Sequence, residues 1–127
     1  MADARTHRVQ AAYNRHVGEG LLVNGYCDWA VTACFYSALH QVDAVLASYA
    51  GHTVPYHPSR HKDRESAILL LRSVFPADVF DAYMKLKQAS EDARYRCVRP
   101  KDEEVRSFYL PLLDQIKQFV ADKLGPP

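Results

Sequence analysis

The chain has 127 residues, 48% of them hydrophobic, which suits one domain with a modest core that needs neither disulfide nor metal to fold. Its formal net charge of +1 excludes binding of nucleic acid through overall charge and leaves only a local cluster able to do so. Cys27, Cys34 and Cys97 are odd in number and form no CxxC pair, so they read as reduced thiols in a cytoplasmic protein.

The opening stretch, MADARTHRVQ, is charged and lacks the apolar centre of a signal peptide. No apolar run reaches membrane-spanning length, so no membrane association is expected. A first helix is predicted over 3–18, broken by Gly18, Gly20 and Gly25. A second starts at Asp28, a good N-cap, and runs to 49. Gly51, Pro55 and Pro58 mark a loop, after which Ser59 caps a third helix over 60–74. Pro76 opens a fourth, to 95. Pro100 closes the next loop, and a last helix covers 102–123, kinked where Pro111 removes a backbone donor. No stretch alternates with period two. The expected fold is one all-α domain, an antiparallel up-and-down bundle of about five helices.

The second helix is apolar or small on most sides. Val31, Phe35, Ala38, Val42, Val45 and Tyr49 form a core stripe, and Trp29, Ala33, Tyr36, His40, Asp43 and Ala47 form the opposite one. Such a helix is either central in its own bundle or meets another subunit through its second stripe. Arg64 falls on the apolar face of the third helix, where a charge needs a partner, a ligand or solvent. If each helix crosses the bundle, the end of the second, the start of the third, the end of the fourth and the start of the fifth share one pole. That pole would gather His40 and Asp43 with Arg60, His61, Lys62, Arg64, Arg94, Arg96, Arg99 and Lys101, a basic concavity suited to phosphate.

Three segments, YSALHQVDA on the second helix, HPSRHKDR opening the third and LKQASEDARY closing the fourth, together resemble small prokaryotic HEPN-like domains over residues 26–96. The resemblance implies a helical bundle, often dimeric, and RNA as ligand. It implies membership of a defence or toxin–antitoxin system, either as a metal-independent ribonuclease or as a noncatalytic subunit bound to a cognate partner protein. Catalytic members carry an Arg followed, after four to six residues, by His. No Arg here has His at that spacing, and no His follows His61. The family's catalytic roles therefore do not transfer.

The residues still suggest a site of their own. Tyr36, His40 and Asp43 lie about one turn apart, so Asp43 could fix the tautomer of a His40 that moves a proton. Arg64 would then stabilise charge on a phosphate. The plainer alternative is a satisfied interface histidine with Tyr36 packed beside it. Arg94 and Tyr95 could hold a phosphate and stack a base, or Arg94 could simply cover helix-end carbonyls. His57 and His61 complete the phosphate-binding candidates. Their i,i+4 spacing also suits a metal, but Pro58 and Ser59 place a helix start between them and no Cys or acid cluster completes the set. No metal or cofactor is expected. The leading expectation is an RNA-directed HEPN-like module, a homodimer, in which His40 would be the acid or base, Asp43 its orienter and Arg64 and Arg94 the phosphate clamps of any cleavage. The second is a noncatalytic protein-interaction module bound through the Trp29–Tyr36–His40 stripe, which the missing Arg-to-His pattern favours.

Overall fold

A computed structural model describes residues 2–49, 58 and 60–127. Most of these residues are helical, with no strand among them. Helix α1 spans Ala4–Val23. It starts at Asp3, whose carboxylate accepts a hydrogen bond from the Thr6 amide at 2.8 Å. Gly18 and Gly20 do not break it. Gly18 sits where α1 crosses the next helix: a β-carbon there would meet the Ala30 carbonyl oxygen and the Ala33 β-carbon, both at 3.3 Å. Close packing overrides the low helix propensity of glycine. The stop is Gly25, at φ +83°. Around it the Tyr26 amide donates to the Leu21 carbonyl and the Gly25 amide to Leu22, at 2.9 and 3.0 Å, which is a Schellman ending.

Helix α2, Cys27–Tyr49, is the central rod and packs against α1 and both later long helices. Asp28 is inside its first turn rather than capping it, still favourably placed for the helix dipole. The first stripe of α2 is covered within the chain, and the second is covered in part. Val31, Phe35, Ala38, Val42 and Val45 are fully buried, while Asp43 on the opposite stripe is buried too.

Helix α3 spans only His61–Leu70, not 60–74, and a turn closes over Leu71 to Phe75. The expected cap, Ser59, lies outside the described residues. This shortness corrects the expected pole. Ten residues of helix extend about 15 Å, against about 35 Å for the 23 residues of α2. The third helix therefore does not cross the bundle, and α4, Ala77–Tyr95, runs antiparallel to α2 directly. The end of α4 lies beside the first half of α2: Arg94 reaches Tyr36, and Arg99 approaches Asp28.

The last rod consists of α5, Asp102–Glu104, a π-helical segment Val105–Tyr109, and α6, Leu110–Leu124. The Leu110 amide donates to the Val105 carbonyl, five residues back. This wider turn comes just before Pro111, which has no N–H to give and would crowd the preceding turn of a regular helix. Arg15 pairs with Asp114 and Arg8 bonds the Gly125 carbonyl, so α6 is antiparallel to α1. Gln115 bonds Asp78, and Lys85 lies over Phe108, so it is antiparallel to α4 as well. The core lies between α2, α4 and α6, where Phe35, Leu46, Tyr83, Leu86, Ile116 and Val120 meet. Among the described residues, no helix is long and apolar enough to cross a membrane.

Candidate functional site

The second half of α2 carries Asp43 into the interior, and α3 brings Arg64 to it. Their side chains are 2% and 5% exposed. The guanidinium grips the carboxylate with two bonds, Nε to Oδ1 at 2.6 Å and a terminal nitrogen to Oδ2 at 3.0 Å, a fork geometry. The charge on the apolar face of α3 thus has its partner. Burial works against the Arg64 cation, but the hydrogen bonds and charge of Asp43 outweigh it and raise the guanidinium above its ordinary value. Tyr83 lies close enough to couple to this pair. Its buried hydroxyl has no hydrogen-bond partner among the described residues, and burial pushes its pKa upward.

His40, one turn before Asp43, faces α1. Its Nδ1 lies 3.0 Å from Nδ1 of His7, and the two rings stack with centroids 5.2 Å apart. When both rings are neutral, one Nδ1 must donate and the other accept. Both oxygens of Asp43 are gripped by Arg64, and Nδ1 of His40 meets His7. Donor atoms of His7, His40 and Asp43 nonetheless all lie within 4.8 Å of one another. Sequence reasoning passed over His7. The available signal was the buried stripe His7, Ala11, Gly18 and Leu22 on α1, a small-residue face with one imidazole on it.

His61 sits at the start of α3 against Phe35, with ring centroids 5.7 Å apart. Its buried Nδ1 has no hydrogen-bond partner among the described residues. Burial, and then the charges of Arg64, Lys87 and Arg94, hold its pKa below the ordinary value of 6.5. His57 lies outside the described residues.

Arg94 is anchored in the last turn of α4. Its Nε reaches the Ser90 hydroxyl at 3.1 Å, and one terminal nitrogen reaches the hydroxyls of Tyr36 and Tyr95, each at 3.2 Å. The guanidinium carbon lies 4.9 Å from the Tyr95 ring centroid and 5.5 Å from that of Tyr36. Tyr95 itself is 72% exposed.

The candidate residues therefore form two groups along α2. One joins His7, His40, Asp43 and Arg64; the other joins Tyr36, Arg94 and Tyr95. Many of the cations expected at a shared pole are paired with acids instead. Arg60 meets Asp63 at 2.8 Å, Arg96 meets Asp92 at 2.9 Å, and Arg99 lies 3.9 Å from Asp28. No known protein family, curated protein or solved structure matches the chain.

Proposed function

We propose that the chain is a noncatalytic helical interaction module of HEPN-like type, which acts by binding another protein chain. The observation that carries this reading is the exposed apolar stripe on the outer side of α1. Val9, Tyr13 and Val17 recur at i, i+4 and i+8 and face solvent, Tyr13 at 62% exposure. Toward the end of α1 and the start of α2, Val23, Tyr26 and Trp29 are exposed as well. An apolar stripe left exposed along one helix face is characteristic of contact surfaces. The binding face in this reading is α1, because Tyr36, His40 and Asp43 on the second stripe of α2 are engaged with Arg94, His7 and Arg64.

A second reading, RNA binding within a defence or toxin–antitoxin system, draws support from the exposed Tyr95 ring laid against Arg94. It is weaker, because pairing of neighbouring cations with acids leaves less field for phosphates.

The test compares wild type, Tyr13→Glu and Arg94→Ala. Each is captured from the cells that make the chain, and each is incubated with labelled single-stranded RNA. The module reading predicts a stoichiometric protein partner, a second copy or another chain, that is lost in Tyr13→Glu and kept in Arg94→Ala, with the RNA intact throughout. RNA cut by wild type and spared by His40→Ala would establish the ribonuclease instead.

A further inference from the structure

We infer that His7, His40 and Asp43 form a binding site for a divalent transition metal of the zinc class. Two imidazoles and a carboxylate are the donor types that borderline ions take. Their donor atoms come from two helices and all lie within 4.8 Å of one another. The 3.0 Å separation of the two Nδ1 atoms is close to the edge of a zinc tetrahedron, about 3.3 Å for Zn–N bonds of about 2.0–2.1 Å. Binding would release the proton held between the two Nδ1 atoms and turn both lone pairs toward the ion, with little change in their separation.

The surroundings are those of a metal site as well. Asp43 is held by the Arg64 fork, and a ligating carboxylate is commonly oriented by such an outer hydrogen bond. Each carboxylate oxygen keeps a second lone pair for the ion. His7 and Asp43 are buried and His40 half-buried, so the donors are fixed by packing. Three protein donors leave a coordination position for water or another ligand. The guanidinium lowers affinity by repulsion, which favours ions with strong preference for imidazole over magnesium or calcium. This site stands apart from the α1 stripe, so its fate and that of the interaction reading are independent.

The experiment titrates the full chain, in a Cys97→Ser background that removes the exposed thiol, with zinc chloride by calorimetry and with cobalt(II) by visible absorption. One ion per chain is expected, with a cobalt spectrum of tetrahedral or five-coordinate type. His7→Gln and His40→Gln, checked for helix content by circular dichroism, should each lose this binding, and His16→Gln should keep it. Should the variants fail to fold, the imidazole nitrogen resonances of the wild-type background are followed by NMR instead: zinc must shift those of His7 and His40 and leave His16 in place. Absence of binding at neutral pH, or binding that survives both substitutions in folded protein, or zinc-induced shifts confined to other histidines, would overturn the assignment.

Discussion

Asp43 and Arg64 are each almost inaccessible to solvent, so altering one strands the other. Asp43→Ala should lower unfolding stability by about 3–5 kcal/mol in urea titrations, whereas the apolar pair Asp43→Leu with Arg64→Met should cost far less. His61 gives a pH dependence of known sign. Its folded pKa is depressed, so at low pH the unfolded chain takes up more protons than the folded one. Its contribution is fully present above the unfolded value of 6.5 and is lost as pH falls from there through the folded pKa. Thermal midpoints measured between pH 7.5 and pH 5 should fall toward acid, and His61→Gln should flatten that fall. At this scale much was legible. A charge on an apolar face demanded a partner, and helical spacing put Asp43 in the right half of α2. What spacing could not tell is which face meets which: His7 and Arg64 lie 33 and 21 residues from their partners, and only tertiary packing chooses them.

The glycines of α1 separate helix propensity from helix contact. At Gly18 an added side chain meets the backbone of α2, while at Gly20 nothing lies within 4 Å of a new β-carbon. Gly18→Val should destabilise the fold by about 1–3 kcal/mol through overpacking. Gly20→Ala should stabilise it by about 0.5–1 kcal/mol through reduced backbone entropy. Both are measurable by chemical denaturation. The same comparison explains why the first helix outran its expected end: Gly18 and Gly25 look alike as breakers, but one serves a close crossing and the other a left-handed turn. The long helices were readable from apolar periodicity and from Pro76, although strict alternation along the chain would have set α4 parallel to α2. The length of α3 was not, because its apolar residues continue through Leu71 and Phe75 although the helix has ended. That difference of a few residues turns α4 antiparallel to α2, so that Arg94 meets Tyr36 in the middle of α2 instead of the end of that helix.

For the molecule as a whole, the α1 stripe and the charge pairing point the same way. In a chain of net charge +1 with many of its cations held by acids, little unpaired positive charge is left for phosphates. If the partner is a second copy, light scattering on purified wild type gives twice the chain mass and Tyr13→Glu gives one. If it is a different chain, both are monomeric alone. The most direct measurement is hydroxyl-radical footprinting of the captured native complex against the free chain, read at the individual aromatic residues. The account predicts that Tyr13 loses reactivity in the complex while Tyr95 keeps it. Protection of Tyr95 with Tyr13 unchanged would contradict it.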